Sequence, residues 1–127
     1  MKESRERGAA MVEFAIVVPI LLALVLGLVE FGFRYQRAAF LNNAAYIAAR
    51  DFSIHGNYSQ ARAAATAANN GVVPPGFPGS LPGCPTVPVP GVTTNVSIIF
   101  NSTAPSKTKM FGSTFVVRVK GAARCES

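Results

Sequence analysis

Apolar residues fill one long block of this chain and then thin into periodic patterns. From Phe14 to Val29, sixteen consecutive residues carry no charge and no hydrogen-bonding side chain. Glu13 precedes the block and Glu30 follows it. A helix rises about 1.5 Å per residue and a bilayer core is about 30 Å thick, so a span needs about 20 residues. Adding Ala9 to Val12 and Phe31 to Phe33 supplies that length, with both acids near the interfaces. A helix buried in a small soluble domain is the competing reading, but a surface helix needs a polar face, and the remaining chain is too short to cover this one on every side. A cleaved secretory signal would need a small-x-small site after the apolar block. The flank Glu30-Phe31-Gly32-Phe33-Arg34-Tyr35 has no Ala-x-Ala site, and the small residues Gly8-Ala9-Ala10 lie before the block instead. A membrane-spanning helix with cutting on its N-terminal side is expected.

Residues 1–8 alternate basic and acidic groups and are expected as a disordered tail. The helix is expected to begin near Ala9 and to run to about Phe52. Pro19 lies inside it, which predicts a kink or loosened turn at Val17–Pro19. Beyond the apolar block, Ala38, Leu41, Ala45, Ala48 and Phe52 step by three and four and form a narrow stripe on an amphipathic stem. Ser53-Ile54-His55-Gly56 breaks this helix. Asn57 can cap a second one, with Gln60 in the reciprocal capping position. Ala61 to Ala68 favours helix, and Asn70-Gly71 ends it. Seven prolines between residues 72 and 90 predict an irregular loop. Alternation predicts one strand from Gly91 to Phe100 and another from Thr114 to Lys120, with Asn101 to Gly112 as a polar connection. The fold class is therefore α+β: a long membrane-spanning N-terminal helix continuing into a stem, then a small domain with a second helix and two or three antiparallel strands. The boundaries are 1–8, 9–33, 34–70 and 71–127.

The formal charge of +6 raises nucleic acid or an anionic membrane surface as partners. The basic residues are scattered without the dense run or interleaved aromatics of a single-strand binder, which argues against nucleic acid. Cys84 and Cys125 both follow the apolar block and suit one disulfide in an oxidising compartment. With only His55 to add, they fall short of a four-ligand zinc site. No dinucleotide fingerprint, phosphate loop, metalloprotease motif or nucleophile elbow occurs. Glu13 and Glu30 are seventeen residues apart, about 25 Å along a helix, too far for paired acid–base work. The chain is expected to be no enzyme, with no cofactor and no small-molecule substrate. Lys2, Arg5 and Arg7 precede the apolar block, and Arg34, Arg37 and Arg50 follow it. The positive-inside count is thus a tie. The exported-looking cysteines favour a cytoplasmic N-terminus.

A charged leader ending in Gly8, the residues Ala9-Ala10-Met11-Val12, then Glu13, Phe14 and the apolar run resemble type IV pilin-like precursors. More closely, GAAMVEFAIVVPILLALVLGLVEFG resembles the TadE-like minor pilins, or pseudopilins, of Tad (Flp-type) pilus systems. The likeness covers residues 8 to about 50. Major Flp-type pilins differ, with tyrosine after the glutamate and little globular domain. The resemblance implies cleavage between Gly8 and Ala9 by a prepilin peptidase. It also implies a single-pass protein of the bacterial inner membrane with its C-terminal domain periplasmic or extracellular. Its partners would be a TadF-like minor pilin, a Flp-type major pilin and the inner-membrane assembly machinery, in adhesion or secretion. A carboxylate in hydrocarbon costs about 2.5–3.5 kcal/mol on insertion scales. Glu13 could offset that by pairing with the new amine at Ala9, its own or a neighbour's; alternatively it snorkels to the interface. Glu30 is explained by pairing with Arg34 at i+4. The alternative function is a bitopic membrane protein whose outer domain binds a partner without any pilus.

Overall fold

The computed structural model describes residues 2–84, 94–107, 109 and 112–125. Its first element, α1, spans Lys2–His55. It is followed by α2 (Tyr58–Ala68), β1 (Asn95–Pro105) and β2 (Thr114–Arg124). The two strands pair antiparallel, from Asn95 opposite Arg124 to Pro105 opposite Thr114. The architecture is α+β, with a two-stranded sheet. The spine is α1, and α2 and the hairpin both dock on it.

The helix begins earlier than the sequence pattern suggests. Residues 2–8 are helical rather than a loose tail. Lys, Glu and Arg are good helix formers. A helix already nucleated in the apolar block extends through them at little cost. At the other end α1 continues to His55, and Gly56 turns the chain away with φ of 63°. Pro19 lies within the helix.

Asn57 caps α2: its side-chain oxygen accepts from the amides of Ser59 at 2.9 Å and Gln60 at 3.4 Å. The reciprocal bond expected from the Gln60 side chain is not formed among the described residues. The Ser59 hydroxyl instead donates to the same Asn57 oxygen at 2.8 Å. At the far end Asn70 and Gly71 both take positive φ, and the Gly71 amide reaches back to the Thr66 carbonyl at 2.9 Å, a helix-stopping turn.

Both strands are longer than expected. Asn101–Pro105 belongs to β1 and not to a polar connection, and β2 runs on to Arg124. Residues 101–105 look polar by composition, yet Ser102 and Ala104 are buried between exposed Asn101, Thr103 and Pro105. The period of two persists after the large apolar residues stop. The expected strand residues 91–93 and Pro85, Pro88 and Pro90 lie outside the described residues.

The core joins Leu41, Ala45, Ala48, Ala49 and Phe52 of α1 to Ala61 and Ala65 of α2 and to Val96, Ile98, Phe100 and Val119 of the hairpin. Ala44 is also fully buried, whereas Ala38 is only half-buried. The buried face of the stem is therefore wider than the narrow stripe anticipated, because two partners flank it. Alanine lets backbones come close, and Gly121 closes the fit: a Cβ there would collide with the backbone of Ala45 and Tyr46. Asn42 on α1 accepts the Lys120 amide at 2.8 Å, tying β2 to the helix. From the proline-bearing loop Phe77 packs edge-on to Phe100, with centroids 5.8 Å apart. The Tyr58 hydroxyl donates to the Pro78 carbonyl at 2.7 Å. Cys84 and Cys125 are joined by a disulfide with their Cα atoms 5.8 Å apart. This bond ties that loop to the end of β2.

Candidate functional site

Among the described residues, almost nothing packs over the first half of α1. Its apolar side chains from Met11 to Val29 are exposed or, at Val18 only, half-exposed. The helix is long and apolar enough to cross a membrane. From Ala9 to Val29 it extends about 32 Å, which matches a hydrocarbon core of about 30 Å. This bare rod is the candidate assembly surface, and the sequence-derived site residues lie along it.

Gly8 sits at its start, exposed, with nothing within 4 Å of where a Cβ would stand. Glycine inside a helix costs up to about 1 kcal/mol against alanine. Packing among the described residues therefore gives no reason for glycine here. Ala9 follows it, exposed, and Glu13 stands one turn further on, also exposed. Among the described residues Glu13 has no hydrogen-bond or ion-pair partner. The helix thus presents a carboxylate without a partner among the described residues, one turn beyond Ala9.

Glu30, at the other end of the rod, behaves differently. It is 1% exposed. Arg34 donates from Nε to its Oε1 at 3.1 Å, the i+4 pair the sequence suggests. Ser106, beyond β1, donates its hydroxyl to the same oxygen at 2.5 Å. The Lys109 amide donates to the Ser106 hydroxyl at 3.2 Å, and the Ser106 amide closes on the Ser113 carbonyl at 2.9 Å. Hydrogen bonds to a charged acceptor are worth about 1.5–3 kcal/mol. Glu30 therefore anchors the far end of the hairpin to the helix, and an interface pair with Arg34 is only part of its role. Above it the Arg34 guanidinium carbon lies 5.0 Å from the Phe115 ring centroid, and the Lys107 ammonium lies 5.8 Å from that of Phe33.

Sequence reasoning passed over Ser106 because it lies in a polar stretch far from Glu30 in the chain. The available signal was Glu30 itself, an acid closing an apolar block and therefore in need of partners. The sequence-derived residues are not gathered at one point. Gly8, Ala9, Glu13 and Pro19 lie on the bare rod, and the Cys84–Cys125 bond belongs to the outer domain.

Residues 8–50 match the model of the TadE-like protein family. The match covers the bare rod and most of the stem, the segment that carried the resemblance in the sequence, and bears that resemblance out. No curated protein and no solved structure matches the chain.

Proposed function

From the TadE-like segment at residues 8–50, we propose that this chain is a non-enzymatic minor pilin, or pseudopilin, of a Tad-type pilus assembly system. The observation that carries the reading is the bare apolar rod with Glu13, unpartnered among the described residues, one turn beyond Ala9. The chain inserts with its first residues in the cytoplasm and its disulfide-bearing domain outside the inner membrane. A prepilin peptidase cuts between Gly8 and Ala9 and leaves a positive amine on Ala9. In a bundle of pilin-like helices, Glu13 pairs with that amine, its own or a neighbour's. In low dielectric the pair is worth far more than it is in water. Its neighbours are a TadF-like minor pilin and Flp-type major pilin subunits. Burial of the rod against them and against lipid supplies the packing that the chain itself leaves undone.

Two measurements on one pair of proteins test this. Mass spectrometry of membrane-extracted wild type is expected to find Ala9 as the first residue. A mature chain that still starts at Met1 favours a bitopic membrane protein with a partner-binding outer domain. Glu13→Ala is expected to insert and be cleaved like wild type, because it removes a polar group from an apolar helix. It is expected to lose in-membrane crosslinks to its pilin-like partners by about tenfold, since an amine without its partner carries a desolvation cost. Wild-type crosslinking by this variant rejects the pairing role.

A further inference from the structure

Where the bare rod ends, the outer domain forms a small cleft of about 250 Å³ against α1. Glu30 lies at its floor, Phe33 and Phe115 form its walls, and Arg37 and Lys107 supply its cations. The acid at the floor is already engaged by Arg34 and Ser106. Among the described residues Arg37 makes only a long bond, 3.5 Å, to the neutral Asn69 side chain. Among the described residues neither Arg37 nor Lys107 faces an acidic partner. Between Phe33 and Cys125 the only acid in the sequence is Asp51, and it faces His55. The cleft therefore keeps a net positive charge beside aromatic walls.

Its depth narrows the choice of ligand. The exposed apolar block ends at Val29, one residue before the cleft floor, and Phe31 beside it is 70% exposed. With the rod in a bilayer, the cleft sits where hydrocarbon gives way to headgroups. We propose that it binds the phosphate of an anionic phospholipid in the leaflet that the outer domain faces. Arg37 grips the phosphate oxygens through its planar fork. Lys107 adds a point charge beside the Phe33 ring. The acyl chains run down from Phe31 and Val29 along the bare rod. Free inorganic phosphate would meet the same two cations but leave the aromatic walls and the adjoining apolar rod uncovered. Because Lys107 belongs to the hairpin and Arg37 to the helix, one bound headgroup bridges both and fixes how deep α1 sits. Arg37, one of the cations that make the positive-inside count a tie, thereby has a role on the outer side.

The inference rests on α1 crossing the bilayer, so insertion is scored separately, by retention in membranes after alkaline carbonate. The binding test uses the full chain, purified in mild detergent and titrated with phosphatidylglycerol or phosphatidylcholine under native mass spectrometry. Phosphatidylglycerol is expected to bind preferentially. Neutralising both cations, Arg37→Gln with Lys107→Gln, is expected to weaken it by about tenfold or more at low salt. Lys107→Gln alone, which leaves the Arg37–Asn69 bond in place, is expected to fall between the two. Arg118→Gln with Arg124→Gln removes the same charge from exposed positions of β2 and is expected to leave binding within about twofold of wild type. Four results overturn the inference: equal binding of the two lipids, unchanged affinity in the Arg37/Lys107 variant, an equal loss in the Arg118/Arg124 control, or displacement of the lipid by millimolar inorganic phosphate. A chain extracted by carbonate fails the membrane reading and this inference together. A retained chain without lipid preference fails the inference alone.

Discussion

One helix, α1, lives in two environments. From Gly8 to Val29 its side chains face outward and, among the described residues, meet almost nothing of their own chain. From Glu30 onward one side of it is covered by the hairpin and α2. The bare half has large side chains, Leu, Ile, Val and Phe, with few small ones. The covered half is rich in alanine, with Ala44, Ala45, Ala48 and Ala49 all fully buried. The difference follows from who the partner is. Lipid tails and neighbouring helices fill whatever shape large apolar side chains present. A hairpin of the same chain must approach closely, and small residues on the helix with Gly121 on the strand allow it. Intramolecular burial is thus spent on one half, and under the proposed function the other is left for lipid and neighbouring helices.

Because the covered half is built from small residues, each contributes little apolar area, and the outer domain leans on its covalent tie. Removing the disulfide is expected to have the largest effect. Cys84→Ser with Cys125→Ser opens a loop of 41 residues. It should lower stability of the outer domain by about 4 kcal/mol in a chain-entropy treatment. The measurement is urea denaturation in detergent followed by near-UV circular dichroism. An unchanged midpoint would place the stability in the helix face instead.

A matched pair of leucines tests the two halves directly. Leu41 is fully buried, and Leu24 is 59% exposed. Leu41→Ala is expected to cost about 3 kcal/mol through lost burial and a residual cavity. Leu24→Ala should leave the outer domain within about 0.5 kcal/mol of wild type, since no cavity forms in it. Equal losses in the same denaturation experiment would mean that the halves are not independent.

The boundary between the halves is expected to respond less than the disulfide or Leu41. Ser106→Ala removes one hydrogen bond to the buried Glu30 carboxylate and should cost about 2 kcal/mol. The loss should appear as faster amide exchange in the strand residues nearest Ser106, with the distal end of the hairpin unchanged. Uniform exchange along both strands would show that Glu30 is no local anchor.

Much of this organisation was legible from the chain because it depends on local pattern. An uninterrupted apolar block sets a span whatever surrounds it. Asn57 caps its own helix through amides two and three residues away, and Asn70-Gly71 stops that helix through backbone conformations the two residues tolerate. Where the reading failed, the deciding term was an interaction between distant residues or a weak local preference extended by a neighbour. Residues 2–8 joined the helix because one was already formed beside them. Residues 101–105 joined β1 because β2 supplied partners, and their polar composition concealed the alternation.

By itself the sequence determined the apolar rod, the position of Glu13 relative to Gly8 and Ala9, the alanine face and the alternating strands. These follow from helical and strand periods and from the free energy of leaving apolar surface in water. Only the tertiary structure decided that Glu30 is a buried anchor for Ser106 and that Gly121 seats β2 against Ala45. It also decided that Arg37 and Lys107, seventy residues apart in the chain, share one cleft at the end of the rod. Each of these depends on how far the hairpin reaches along α1. That reach is set by the packing of the alanine face and the strand register together, and no local stretch of sequence encodes it.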